Sequence, residues 1–495
     1  MSLADVLSDR PARATLEVAA RDVVDTARSL LDAGYRLASV AACDDEELRV
    51  VYLFVDGPPD QRIEVRVRLD SRRPEVPSLA ALSFPAGRFE REMGDLFGVT
   101  AIGHPQPRPL VTHQHWPADW HPMRREPATA PWDLDAAPFP FNQVEGEGVY
   151  EIPVGPVHAG IIEPGHFRFW VVGETIIKMK ARLWFTHKGV EKLFEGRDVP
   201  EAITLAERIS GDSAIGHSLA FVLAAEAALG VTPSDEDVRA RAILLELERL
   251  YNHVADIGAL CNDTAFSLAQ ARAMTVRETL LRLNDRVTGH RLLRGAIALG
   301  ATTLRDLPSR DELETIGQRV NDVVALASAN NIVMDRFRGT GLLSKGDALD
   351  VGVLGVVARA SGISRDARVD HPFVTTSAFS LVTEESGDVL ARFRVREREI
   401  AVSLAVIDEL LGGGGSVVAQ PHSSATTGTG IVEGWRGAIV HRVEFGADGR
   451  LTRVKVVDPS FVTWPALAVA LANTIVPDFP LVNKSFNLSY AGNDL

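Results

Sequence analysis

Between residues 12 and 33 the apolar positions Leu16, Ala19, Ala20, Val23, Val24, Ala27, Leu30 and Leu31 recur at helical spacing, and Gly34 follows as a stop signal. One amphipathic helix is predicted there. Three strand-like stretches come next, at 35–41, 47–55 and 62–69, and in the last Ile63, Val65, Val67 and Leu69 alternate with polar residues as a half-buried strand requires. Together they predict a small α+β unit that ends near Gly98. From 101 to 142 Pro, His and Trp crowd the chain and neither period persists, so an extended linker lying on a surface is predicted.

The pattern restarts at Tyr150. Stretches 166–172 and 175–181 flank Gly173-Glu174, a pair suited to a tight hairpin because Gly supplies positive φ without steric cost. Residues 201–330 become mainly helical, with Ile243, Leu244, Leu247, Leu250, Tyr251, Val254 and Ile257 on one buried stripe. A last hairpin, 438–445 and 450–457 around Gly446 to Gly449, precedes an apolar helix at about 465–475 and a polar tail. Gly412 to Gly415 follow no convincing strand and lack a Walker lysine, so they read as a loop. The fold class expected is α+β. Residues 1–100 form a small α+β domain, 101–148 a linker, and 149–495 a mainly α-helical bundle domain with flanking β-hairpins.

Composition narrows the functions open to such a chain. Its 495 residues carry a net charge of −14, which argues against a general nucleic-acid binder, since counterion release from phosphates needs a cationic surface. Only Cys43 and Cys261 are present, so no four-thiolate zinc or iron–sulfur site can be built within the chain. The N-terminus lacks a cationic start followed by an apolar run, so no secretory signal is expected. The longest nearly apolar run, Leu219 to Val231, contains Glu226 and falls well short of the roughly 20 residues a spanning helix needs. Membrane attachment would therefore come through partners.

Several polar clusters could carry chemistry. Arg88-Phe-Glu-Arg-Glu92 with Asp95 places Arg91 and Asp95 at i, i+4, and a salt-bridged helix is the ordinary reading. His158 and His166 bracket a loop that a ligand could reach, and imidazole donates and accepts protons near neutral pH; hydrogen-bonded loop histidines are the alternative. Glu207 to Ser213 with His217, and Asn252, His253, Asp256 and Asp263 along the helix, are either paired or lining a cavity. Glu433, Arg436 and His441 form a third group, where Arg could clamp an anion or hold Glu433. His113 and His115 have no Cys or carboxylate at ligand spacing, and no Gly-x-Gly-x-x-Gly follows a strand, so neither a metal site there nor NAD binding is expected.

In chain order these clusters resemble a known arrangement. RFEREMGDLFGV at 88–99, GHP at 103–105 and HPMR at 121–124 are similar to the C component of respiratory complex I. GPVHAGIIEPGHFRF at 155–169, HKGVEKLFEGR at 187–197, ELERLYNHVADIGALCND at 246–263 and EGWRGAIVH at 433–441 resemble the D component and the related large subunit of membrane-bound [NiFe] hydrogenases. A C–D fusion of this kind resembles formate hydrogenlyase large subunits and hydrogenase-4 component G.

Where hydrogen-making relatives hold nickel with two Cys-x-x-Cys pairs, the resemblance places Arg208-Ile-Ser210-Gly-Asp-Ser213 and Ser485-Phe-Asn-Leu-Ser489 to Gly492 of this chain, with none of the four thiolates. Hydroxyls are hard and weakly acidic whereas thiolates are soft and deprotonate at a metal, so no [NiFe] centre is expected. The chain stops at Leu495, close to where processed hydrogenase large subunits end, so no C-terminal extension is expected.

The resemblance implies a redox subunit of the peripheral arm of a complex I-like or formate hydrogenlyase-like assembly, on the cytoplasmic side of the plasma membrane. Electrons would pass from a [4Fe–4S] cluster in an iron–sulfur small subunit to a quinone in the former nickel pocket. Further partners would be a ferredoxin-like subunit and integral-membrane antiporter-like subunits. The resemblance implies His158, His166 and Asp263 as catalytic groups, and Arg208, Ser210, Ser213, His217, Arg436 and Ser489 as pocket-lining residues, with no metal. Arg208 stands where complex I has a quinone-binding Tyr. Glu191, Glu195 and Glu433 are candidates for relaying charge, with salt bridges the alternative. A non-catalytic scaffold that docks subunits is the competing expectation.

Overall fold

The computed structural model describes residues 1–117, 119–127, 132–133, 135–137, 139–141, 143–159, 162–420 and 426–495. In the first unit, β1 (Arg13–Glu17), α1 (Val23–Asp32), β2 (Arg36–Asp44), β3 (Leu48–Asp56) and β4 (Gln61–Arg68) form a sheet of order β1-β4-β3-β2, with α2 (Phe84–Phe97) packed on it. β1 runs parallel to β4, Arg13 opposite Arg62, and the other pairs are antiparallel. The single helix expected over 12–33 is thus corrected. Leu16 points into the core from a strand paired to β4, and helix begins only at Val23, where Val23, Ala27 and Leu30 share the buried face. The alternation in β4 is as read: Ile63, Val65 and Val67 are buried.

Arg91 and Asp95 lie on α2 but do not bond to each other. Arg91 donates to the carbonyls of Arg108 and Pro109 at 2.7 and 2.9 Å, and one Asp95 oxygen accepts from the amides of Leu110, Val111 and Thr112. The pair straps segment 108–112 to the helix. Between residues 103 and 148 the described residues form turns and no helix or strand.

The second unit opens with β5 (Val149–Val154), β6 (His166–Val172) and β7 (Thr175–Arg182), joined in sequence as an antiparallel sheet whose tight turn has Gly173 at φ 58. Helices α3 (Ala214–Leu229), α4 (Asp235–Asp263), α5 (Ser267–Thr288), α6 (Arg310–Ser328) and α7 (Val389–Leu411) form the bundle. Then β8 (Thr427–Gly434), β9 (Gly437–Phe445) and β10 (Leu451–Val457) build a second sheet, followed by α8 (Pro459–Ala470) and α9 (Phe479–Phe486). α3 is buried on nearly every face because it lies against β8 and β9. Gly428 and Gly430 permit that approach: a Cβ at either would sit about 2 Å from the carbonyl of Ala224 or Ala220. The last apolar helix starts at Pro459 rather than 465, since Asp458 caps it and Pro459 takes its first position, with Pro465 inside.

Strands β2 and β3 are buried on both faces. One face meets α2, and the other side of the sheet is reached by β10 and the charged side chains of β9 and β10. Arg442 Nε donates to Glu64 at 2.7 Å, Lys455 Nζ reaches both Glu92 oxygens at 2.8 Å and Glu191 at 3.1 Å, and Arg453 Nε donates to the Ala42 carbonyl at 2.9 Å. The two units are joined through buried charge.

Candidate functional site

Two segments meet in the interior of the second unit. The turn Arg208 to Ser213 leads into α3, for which Ser213 stands at the N-cap position, and Ser489 caps the short helix Tyr490–Asp494 by accepting from the Gly492 amide at 2.9 Å. Their hydroxyls touch: Ser210 Oγ lies 2.8 Å from Ser489 Oγ, both residues being buried. The Ser489 amide donates to Ser460 Oγ at 2.9 Å, and Trp464 Nε1 donates to the Ser489 carbonyl at 3.1 Å, so the C-terminal segment is fixed from both sides.

Asp212 is the charged centre of this turn. Arg436 grips its two oxygens at 2.7 Å each, and stacks on Trp435 at 3.9 Å. Trp435 Nε1 donates to the Asp212 carbonyl at 2.9 Å and to Ser213 Oγ at 3.1 Å. Against the cost of burial, the Arg436 guanidinium holds the Asp212 carboxyl below its ordinary value. The Asp212 side chain is nonetheless 39% exposed, so the charged face of the turn opens outward while the hydroxyl pair lies beneath it.

Deeper, His217 Nε2 lies 3.1 Å from Asp458 and its Nδ1 lies 3.1 Å from His441 Nε2. Burial, with His217 adding to it, pushes His441 far below the usual imidazole range, and its Nδ1 has no partner among the described residues. Asp458 also decides what position 492 can hold. A Cβ at Gly492 would lie 2.4 Å from Asp458 Oδ2, so the carboxylate occupies the space a side chain there would need.

A nickel centre of the hydrogenase kind does not fit these residues. Two of the four positions are hydroxyls bonded to one another, a third, Ser213, accepts from Trp435, and the fourth is filled by Asp458. Among the described residues no group of three or more His, Cys, Asp or Glu side chains is arranged to hold a metal ion.

The histidine loop abuts the same C-terminal segment. His158 Nε2 lies 2.8 Å from the Gly165 carbonyl, and His166 Nδ1 lies 3.0 Å from the Gly155 carbonyl, leaving His166 Nε2 buried without a described partner. Glu163 accepts from the Ala491 amide at 3.0 Å, and Gly165 lies so near Tyr490 that a Cβ would come within 2.6 Å of its ring. Gly160 and Ile161 of the motif lie outside the described residues. Asp263, at the end of α4, has its carboxyl raised by burial, with Lys484 opposing. No described contact joins it to either histidine. Arg208 turns outward, with about half its side chain exposed, and donates back to the Thr204 carbonyl.

Asp212, Asp458 and Glu248 are parts of this site that the sequence reading did not single out. Asp212 stood inside the serine motif, between the two hydroxyls. Asp458 shows only a helix-start signature, because its partner His217 is 241 residues away. Glu248 sits on the stripe of α4 and accepts from the amides of Ile215 and Gly216 at 2.7 and 3.0 Å; burial pushes its carboxyl up to about 8. The suggested relay carboxylates are paired: Glu191 to Arg453 and Lys455, Glu195 to Lys192, and Glu433 to Arg359 at 2.7 Å.

Comparison with known proteins supplies the relatives. Residues 263–427 match the family described as respiratory-chain NADH dehydrogenase, 49 Kd subunit, and residues 16–131 match its 30 Kd subunit. The chain is 33% identical to formate hydrogenlyase subunit 5 of Escherichia coli (strain K12), over 87% of this chain and 79% of that protein. It is 28% identical to the fused C/D polypeptide of the NADH-quinone oxidoreductase of Phocaeicola vulgatus over 74% of this chain and 76% of that one. A chain in the structure of the membrane-bound sulfane sulfur reductase, an archaeal respiratory membrane complex, superposes with a TM-score of 0.64 at 25% identity, covering 70% of this chain and 99% of that chain.

Proposed function

The chain belongs to the family of fused 30 kDa and 49 kDa subunits of respiratory-chain NADH dehydrogenase and its formate hydrogenlyase relatives, and from that premise we propose that it is a redox subunit without nickel in the peripheral arm of a membrane-bound oxidoreductase. Electrons arrive from a [4Fe–4S] cluster in a small partner subunit and pass to a quinone. The quinone takes two electrons and two protons to become a quinol, and His158 and His166 supply protons on the loop beside Tyr490, with Asp263 acting at longer range. Arg436 and His217 line the pocket with Ser210, Ser213 and Ser489, while the Arg208 side chain turns outward. Among the described residues no helix is long and apolar enough to cross a membrane, so attachment runs through antiporter-like membrane subunits, with a ferredoxin-like subunit on the electron path.

The observation that carries this reading is the 2.8 Å contact between Ser210 and Ser489, two positions far apart in sequence that close on one another beside the histidine loop. The same closure favours a second reading, a scaffold whose old pocket is sealed. Replacement of His158 by Ala in the purified membrane complex separates them. The redox reading expects quinone reduction to fall while subunit composition is preserved; unchanged turnover supports the scaffold.

A further inference from the structure

A cleft of about 380 Å³ lies away from the serine pocket, where α2 of the first unit, the segment around His104 and Phe139, strand β7 and helix α8 come together. Its size falls within the roughly 300–1,000 Å³ of small-ligand sites. In a chain of net charge −14, four cations line it: Arg88, Arg91, Lys180 and Arg182. Among the described residues no carboxylate oxygen comes within ion-pair distance of any of the four. The nearby carboxylates are committed elsewhere: Asp95 to three backbone amides, Glu92 to Lys455, and Asp494 to Thr186.

The cations are also held ready. Arg91 is pinned by two carbonyls, and Arg182 donates to the carbonyls of Leu110 and Thr112 under the Phe139 ring, 4.9 Å away. Arg88 packs between the Trp184 and Phe461 rings and donates to Asn493 Oδ1 at 3.2 Å. Arg182 is only 5% exposed, yet its Nε is buried without a described partner, as is Nε of Arg88. Lys180, at the exposed mouth, makes no described hydrogen bond or ion pair. Buried polar groups normally find partners, and an uncompensated buried charge is costly, so a set of preorganised cations held by neutral acceptors, with no described carboxylate paired to any of them and two Nε groups unpartnered, marks the place of an anion.

We propose that this cleft binds a phosphate-type oxyanion, offered either by a free phosphorylated small molecule or by the headgroup of an anionic phospholipid. Guanidinium groups recognise phosphate in two-pronged fashion, and the aromatic walls suit the remainder of such a ligand. The recessed position of Arg182 favours a narrow group over the flat face of another protein. Because α2 and β7 come from different units, the bound anion would add to the seam that joins them.

Titration of inorganic pyrophosphate into the full chain and into the purified membrane complex tests this by calorimetry. Saturable binding is expected in both, weakened roughly tenfold or more by Lys180→Gln, the loss expected for one charge-assisted contact. Arg91→Gln provides a second variant at the cleft. Competition by phosphatidylglycerol vesicles, and not by phosphatidylcholine vesicles, identifies a lipid source; pyrophosphate binding without vesicle competition identifies a free ligand. Absence of saturable binding, or binding that both variants leave unchanged, overturns the proposal. Binding to the isolated chain that disappears in the complex also overturns it, since an acidic segment of a partner would then fill the cleft.

Discussion

The serine pocket and the seam between the two units are both buried and polar, but they are built from opposite chemistry. In the seam, Lys455 faces Glu92 and Glu191, and Arg442 faces Glu64 and Glu444, full charges matched at short range. Against burial, Arg453 and then Lys455 keep the Glu191 carboxyl well below its ordinary value. At the serine site two neutral hydroxyls are bonded to one another, the deeper Asp458 carboxylate meets an imidazole, and the Asp212–Arg436 ion pair is open at its carboxylate end. Matched buried charges tolerate no loss of a partner, whereas hydroxyl pairs can be rearranged at modest cost. The difference teaches that the seam fixes the architecture and the pocket is the part free to change chemistry.

Removing the shared cation of the seam should break this contrast most. Lys455→Met leaves Glu92 and Glu191 buried and facing one another, and should cost about 3–5 kcal/mol in urea unfolding. A pocket variant comes next. Gly492→Ala drives a methyl against Asp458 and should cost about 1–3 kcal/mol by thermal unfolding, and Cys at 210, 213, 489 and 492 together should still fail to take up nickel.

The third effect is a pH dependence. Glu248 keeps its proton in the folded protein up to about 8, while an unfolded chain loses it near the ordinary glutamate value. Over that window the folded state binds more protons, so its stability contribution is complete at acid pH and is lost as pH rises through 8. The slope approaches about 1.4 kcal/mol per pH unit and should flatten in Glu248→Gln. The smallest effect is expected at Arg208, whose outward side chain makes Arg208→Ala worth within about 0.5 kcal/mol and neutral for quinone reduction in the complex.

How far the sequence carried these conclusions depends on range. Local signals were readable: the alternation of Ile63, Val65 and Val67, the turn at Gly173, and the stripe of α4 all report their own surroundings. The helical spacing over 12–33 runs past the true helix because Leu16 and Ala19 happen to continue it, and only the distant pairing of β1 with β4 makes the stretch around Leu16 a strand. The serine motifs were visible as motifs. Their closure, and the carboxylate of Asp458 standing where a side chain at 492 would lie, depend on segments far apart in the chain and left no mark at short spacing. The same holds for Arg91 and Asp95, whose helical spacing suggests a mutual pair while the backbone of 108–112 takes both.

The central claim is that this body has the shape of its relatives and a pocket closed to nickel. Elemental analysis of the purified membrane complex, from cells supplied with nickel, tests it most directly. The account predicts iron and sulfide from the partner subunits with nickel at background; stoichiometric nickel that stays with this chain after the subunits are separated would contradict it.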